Sequence, residues 1–236
     1  LAGYLALGMG HILSGWDHLA FVLALLLLAR SLGEVAQLVT GFTLAHSVTL
    51  ALAVLGWVRP AEGAVEAVIA FSVALVAAEN VWIVSRGDRR LLAGVVGGLL
   101  LLTALAVAGV GALPLLCLIG LTLFSLCHFA LLSRVRRPAR QRAALSFAFG
   151  LVHGFGFAGI LSEMTLPTER LAPALFGFNV GVELGQLAVV AVVWPALRAL
   201  ARAEDPRWHR AVTEFGSAAI CGLGVFWLVT RTFGAG

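Results

Sequence analysis

Charged side chains are scarce in this sequence. Of its 236 residues, 12% are charged and none is a lysine, whereas an ordinary soluble domain carries about 25% charged residues. Hydrophobic residues make up 61% of the chain, and the mean hydropathy is +1.01. A soluble fold of this length has no interior large enough to bury so much apolar surface. The composition excludes a cytosolic enzyme or a disordered chain and indicates a polytopic membrane protein.

Several motifs of soluble and ATP-driven proteins are also missing. The three cysteines, Cys117, Cys127 and Cys221, have no CxxC spacing and lie in apolar segments. This excludes a disulfide-stapled secreted domain and indicates small buried side chains. No GxxxxGK[ST], HExxH or GxSxG motif is present, so neither direct ATP use nor those hydrolase mechanisms are indicated. Because the sequence starts at Leu1, we expect that an N-terminal signal or extracytoplasmic region is absent from it.

Eight apolar segments are long enough to cross a bilayer, which requires roughly 20 residues. The predicted fold is therefore an all-α transmembrane helical bundle, forming a single domain over residues 1–236. Seven spans are the alternative, because the segment Gly109–Pro114 could lie within one kinked helix. A weak repeat of four plus four spans, over 1–110 and 112–232, is a further expectation. The eight segments are 3–29, 34–57, 61–85, 90–110, 112–133, 141–163, 172–201 and 209–232.

The arginines are distributed unequally between the two sides of this predicted bundle. Three of the sixteen, Arg59, Arg170 and Arg231, fall on one side. By the positive-inside rule, the arginine-rich side is cytoplasmic and both termini are extracytoplasmic. We expect a multi-pass protein of the bacterial inner membrane that contacts lipid and does not bind nucleic acid, with homo-oligomerisation left open. The other thirteen are Arg30, Arg86, Arg89, Arg90, Arg134, Arg136, Arg137, Arg140, Arg142, Arg198, Arg202, Arg207 and Arg210.

Polar and ionisable residues recur inside the predicted spans. Such groups are costly in a bilayer and usually face a cavity or one another. Estimated depths place them in a column from one side to the other, as a transport pathway requires. Imidazole with carboxylate suits Ni, Co, Zn, Cu or Fe better than Ca or Mg. The predicted metal ligands are His11, Asp17, His18, His46, His153 and Glu183. The supporting or pathway residues are Glu66, Glu79, Asn80, His128, Asn179 and Gln186.

Helix geometry restricts which of these residues can act together. His11 and His18 are seven positions apart, roughly 10 Å along a straight helix, so one ion with bonds near 2 Å cannot easily bind both. The Ser14-Gly15 pair between them is a candidate break. Asp17 points about 100° away from His18 and is alternatively expected to orient a neighbouring imidazole.

Simpler interpretations remain open for the other groups. His128 could form only an interhelical hydrogen bond. Glu66 could be solvated near the membrane surface, and Glu79 with Asn80 could form a packing network with an arginine.

The segment Gly10-His11-Ile-Leu-Ser-Gly15-Trp-Asp17-His18 resembles the first span of the HupE/UreJ family. The segments around His46, Glu79-Asn80, His153 and Asn179–Gln186 are similar to the larger branch of that family, which often follows an extracytoplasmic domain. These are Phe42-Thr-Leu-Ala-His46-Ser, Ala78-Glu79-Asn80, Phe149-Gly-Leu-Val-His153-Gly-Phe and Phe178-Asn179-Val-Gly181-Val-Glu183-Leu-Gly-Gln186. The resemblance implies a permease for nickel or a related metal.

Two functions follow as hypotheses. The first is a transition-metal permease, most readily for nickel, with proton coupling as one source of energy. The second is a membrane-embedded zinc-type hydrolase acting on lipid or peptide, in which three histidines and Glu183 hold the metal and leave one position open for an activated water. A polar column that reaches both membrane faces favours the permease, because an enzyme needs access from one face.

Overall fold

A computed structural model describes residues 1–134, 138–157, 168–202 and 205–234, and these regions are built from α-helices joined by short connections. Apolar residues dominate each helix, as expected for segments whose backbone groups must be satisfied internally within lipid. The helices are α1 (Ala2–Ser14), α2 (Trp16–Leu28), α3 (Leu32–Val54), α4 (Glu62–Val84), α5 (Arg89–Val107), α6 (Leu115–Leu132), α7 (Pro138–Gly156), α8 (Thr168–Ala201) and α9 (Pro206–Phe233).

The prediction of an all-α polytopic bundle is confirmed. Among the described residues, six helices (α3, α4, α5, α6, α8 and α9) are long and apolar enough to cross a membrane, and counting the bent pair α1–α2 as one broken span raises the number to seven. The predicted sixth span corresponds to α7, whose first turns carry Arg140 and Arg142 and which is not among those seven. Residues 158–163 of that predicted span lie outside the described regions.

The connection between α5 and α6 separates two helices, so the alternative of one kinked helix is wrong. Gly109 and Gly111 have φ angles of +79° and +100°, a backbone conformation that glycine adopts without steric cost. The turn also packs on the end of α9, because the Ala112 N–H donates to the Thr232 carbonyl at 2.8 Å.

Glycines allow three helix pairs to pack at close range. A Cβ on Gly154 of α7 would overlap the His46 carbonyl of α3, and one on Gly181 of α8 would overlap the Leu5 carbonyl of α1. A Cβ on Gly224 of α9 would lie 2.6 Å from the Ala74 backbone nitrogen of α4. This small-residue packing places α1, α3, α7 and α8 around one region of the interior.

Arginine-rich connections meet at one end of the bundle. Arg142, at the start of α7, donates to the Leu25 carbonyl near the end of α2 at 2.9 Å and lies 3.5 Å from Glu34 at the start of α3. We call this the arginine-rich end. The Ala112–Thr232 contact lies at the opposite end. The end of α2 and the starts of α3 and α7 therefore share one end, as the arginine pattern predicts. The repeat of four plus four spans stays a prediction.

Candidate metal centre

A break in the first span brings two distant histidines together. The axes of α1 and α2 differ by 70° across Gly15, which ends one helix and starts the next: its N–H donates to the His11 carbonyl and its own carbonyl accepts from Leu19. The imidazole rings of His11 and His18 consequently lie 4.5 Å apart, centre to centre. The predicted break at Ser14-Gly15 is thus present, and it removes the separation that a straight helix would impose.

His46 of α3 completes a group of three histidines. One ligand nitrogen from each of His11, His18 and His46 lies within 4.8 Å of the other two. Two nitrogens bound to one ion at about 2.1 Å lie at most about 4.2 Å apart, so small ring movements would bring all three onto a common ion. Among the described residues, this is the one group of histidine, cysteine and acidic side chains that comes this close. We call these three residues the histidine centre.

One nitrogen of each imidazole in the histidine centre has no partner in the described structure. Nε2 of His11, His18 and His46 is buried and has no hydrogen-bond partner there. A buried polar atom without a partner costs about 1–3 kcal/mol, and native proteins keep few of them. A ligand that accepts lone pairs from these imidazoles, as a transition-metal ion does, would account for the unpartnered nitrogens.

Asn179 of α8 fixes the orientation of His46. Its side-chain nitrogen donates to the Leu175 carbonyl at 2.8 Å, which directs its oxygen towards His46 Nδ1 at 3.4 Å. Because an amide oxygen only accepts, Nδ1 carries the proton and Nε2 keeps its lone pair. A ligating histidine usually has such a partner on its other nitrogen.

His153 of α7 is a fourth imidazole beside the histidine centre. Its ring lies 5.0 Å from that of His18, and it is fully buried. The Ser72 hydroxyl donates to the Ile69 carbonyl at 2.6 Å, so it accepts from His153 Nε2 at 2.9 Å. The lone pair is then on Nδ1, which has no partner among the described residues. Ser72 was not predicted, and nothing in its sequence context distinguishes it from a packing serine.

Two further predicted residues connect α8 to α3 beside the histidine centre. Glu183 accepts from Thr40 at 2.7 Å through one carboxylate oxygen, and its other oxygen is buried without a partner in the described regions. Gln186 accepts from Thr43 at 2.9 Å. The structure therefore places Glu183 outside the three-histidine group, on the helix face that also carries Asn179.

Asp17 and Glu66 lie against an arginine instead of an imidazole. Asp17 accepts from Arg231 of α9 at 2.8 Å, and the Glu66 carboxylate lies 4.0 Å from the same guanidinium. Arg231 also donates to the Glu66 carbonyl at 2.9 Å. The prediction of Asp17 as a ligand did not account for this ion pair, which occupies one carboxylate oxygen and ties α2 to α9.

The remaining polar residues form a separate group near the arginine-rich end. Glu79 accepts from His128 Nε2 at 2.9 Å and lies 3.4 Å from Arg142 Nε. Arg142 also contacts Glu34. We call Glu34, Glu79, His128 and Arg142 the inner cluster. Asn80 donates to the Ala24 carbonyl beside it at 2.7 Å.

Phenylalanines separate the inner cluster from the histidine centre. Phe21 lies 5.1 Å from His153, and Phe149 lies 6.1 Å from Phe21, ring centre to ring centre. Phe124 then lies 5.8 Å from Phe149 and stacks on His128 at 6.2 Å. The polar column predicted from depth is therefore interrupted. Together, the phenylalanine layer consists of Phe21, Phe42, Phe71, Phe124 and Phe149.

The fold and this site define a multi-pass membrane protein with a buried three-histidine centre at a broken helix. A sequence model of the family described as HupE / UreJ protein matches residues 1–115 and 99–231. The chain belongs to the HupE/UreJ family, which is associated with nickel and cobalt transport. No curated protein and no solved structure matches it.

Proposed function

We propose that this protein is a permease for a divalent transition metal, nickel first, in the bacterial inner membrane. The observation that carries the proposal is the set of three unpartnered, buried Nε2 atoms of the histidine centre, together with membership of the HupE/UreJ family. The cargo ion binds to His11, His18 and His46, and His153 is close enough to serve as a further ligand.

The arrangement suits a transient cargo. Three neutral imidazoles bring no negative charge, Asp17 pairs with Arg231, and Glu183 lies outside the three-histidine group with one oxygen on Thr40. A site without a carboxylate ligand stabilises a dication less than a site that contains one. An ion bound in this way can leave again, which a transport site requires.

Flux into proteoliposomes tests the proposal. The purified protein is reconstituted into liposomes that enclose a metal-sensitive dye, and Ni, Co, Zn, Cu and Fe are added to the outside in turn. We expect saturable uptake, fastest for nickel, that falls at least tenfold in His18→Ala, since that change removes one of three ligands. His209→Ala is the matched control, because His209 lies at the start of α9 outside the histidine centre and should leave uptake unchanged.

The hydrolase reading makes a different prediction in the same preparation. A three-histidine site with open positions is also the pattern of catalytic zinc. Tightly retained, non-exchanging metal that is lost in His18→Ala, without flux of any metal, would refute the permease and favour the enzyme. Uptake that is equal in wild type and His18→Ala would refute the role of the histidine centre in transport.

A further inference from the structure

The inner cluster carries buried charge for which metal binding at the histidine centre gives no reason. Glu79, His128 and Arg142 are 1%, 5% and 3% exposed. Charged groups at such depth are costly and are retained where they serve a pathway or a proton relay. The cluster connects four helices near the arginine-rich end, because α3, α4, α6 and α7 each contribute one member.

Among the four residues of the inner cluster, the formal charges depend on the protonation of His128. Glu34 and Glu79 are two carboxylates, and Arg142 supplies one permanent positive charge. With a neutral His128 imidazole the four groups sum to one negative charge, and with an imidazolium they sum to zero. Arg30 and Arg140 also face this region, but both are exposed and neither forms an ion pair within the described residues.

His128 is positioned to hold the balancing proton. An ionised carboxylate only accepts, so the 2.9 Å contact between His128 Nε2 and Glu79 requires a proton on that nitrogen. Nδ1 then remains as the place for a second proton. The other carboxylate oxygen of Glu79 has no hydrogen bond in the described structure and faces Arg142 Nε.

A cavity connects the inner cluster to the surface. It has a volume of about 330 Å³ and is bordered by Arg30, Glu34, Arg140 and Arg142 at the arginine-rich end. Glu34 and Arg142 border this cavity directly, and Glu79 and His128 lie behind Arg142. The phenylalanine layer lies on the other side of the cluster, towards His153. The Glu34–Arg142 edge of the inner cluster therefore faces a cavity at the arginine-rich end.

We propose that the inner cluster is a proton-binding site that opens to the arginine-rich end, and that metal passage depends on whether this site is occupied. The dependence rests on the proposed permease function. Without the proton, the cluster is negative and attracts a dication from the histidine centre. With the proton, it is neutral and this attraction is lost. Lower pH at the arginine-rich end therefore slows uptake.

Uptake with separately controlled pH on each side tests this dependence. The protein is reconstituted at a low ratio to lipid, so that each vesicle holds few copies. Vesicles whose C-terminal tag is exposed outside are then captured. Since the C-terminus lies opposite the arginine-rich end, that end faces the lumen in the captured vesicles. We expect wild-type nickel uptake to fall as luminal pH falls, by at most about tenfold per pH unit for one proton. Glu79→Gln leaves a neutral cluster without any proton and should abolish this dependence. Glu214→Gln is the matched control, because it makes the same substitution in an exposed ion pair with Arg210, and this variant should keep the dependence on luminal pH.

Equal luminal pH dependence in wild type and Glu79→Gln would overturn the proposal. A second measurement does not need transport and separates this failure from failure of the permease itself. In the detergent-solubilised protein with ¹⁵N-labelled histidine, the His128 signals are those lost in His128→Gln. They should change from the neutral to the imidazolium pattern as the pH is lowered, and Glu79→Gln should displace that change because it removes the carboxylate that accepts from His128. A His128 ring without such a transition would overturn the proposal whether or not metal is transported.

Discussion

Gly15→Ala should dismantle the histidine centre while leaving the helices on either side intact. A Cβ at position 15 would lie 2.7 Å from the His11 carbonyl oxygen and 3.0 Å from His18 Nδ1. Real Cβ atoms essentially never approach closer than 3.0 Å, and ordinary contact begins at 3.4 Å. The break must therefore open by several tenths of an ångström, which moves both imidazoles that it joins.

The expected loss of affinity follows from the tolerance of a metal–nitrogen bond. Such bonds are about 2.0–2.1 Å long and vary by about 0.2 Å, so the displacement exceeds what the site can absorb. Loss of a residue that merely orients a ligand costs about 10–100-fold in metal affinity, and displacement of His11 and His18 should cost at least as much. Competition with a coloured chelator, on the purified protein, measures the dissociation constant.

Gly10→Ala provides the matched control in the same helix. No atom lies within 4 Å of a Cβ at position 10, so metal affinity should be unchanged. Replacing a helical glycine with alanine should also raise stability by about 0.5–1 kcal/mol, visible as a higher melting temperature. If Gly15→Ala bound metal as tightly as Gly10→Ala, the dependence of the histidine centre on the break would be refuted.

Three further substitutions test the surroundings of the centre. Gly154→Ala places a Cβ against the α3 backbone and should lower the unfolding free energy by about 1–3 kcal/mol. Gly120→Ala has open space around the new Cβ and should not lower it. Equal thermal unfolding of the two variants would contradict the close packing. Ser72→Ala removes the acceptor that sets the His153 tautomer and should weaken nickel binding about tenfold in chelator competition; unchanged affinity would exclude His153 from the site. Asn179→Leu removes the hydrogen-bond partner of the His46 ring and should lower nickel affinity about 10–100-fold. A dissociation constant equal to that of the wild type would show that packing alone orients the ring.

The sequence predicts the elements of this fold well because bilayer length and hydropathy dominate the signal. The break at Gly15 was also predictable, because His11 and His18 could not otherwise share an ion. His46 was identified by its polarity within an apolar segment. These inferences need information only from within one helix, where spacing fixes the positions of side chains.

Partners from distant parts of the chain were not predictable in the same way. Asp17 looked like a ligand because it precedes His18, yet its contact is Arg231, 214 positions along the chain. Ser72 and Thr40 are ordinary residues until folding places them beside His153 and Glu183. Hydropathy and spacing carry no information about which face of α9 or α3 meets α2 and α8.

The interrupted column changes what transport must involve. The predicted path runs through residues at successive depths, whereas the structure has two polar sites with phenylalanine rings between them. His18 and Phe21 lie three residues apart on one face of α2. A change in the angle between α1 and α2 at Gly15 would therefore move the Phe21 ring out of the layer only by also moving a ligand of the histidine centre. The geometry that assembles the metal site is thus the same geometry that closes the way to the inner cluster.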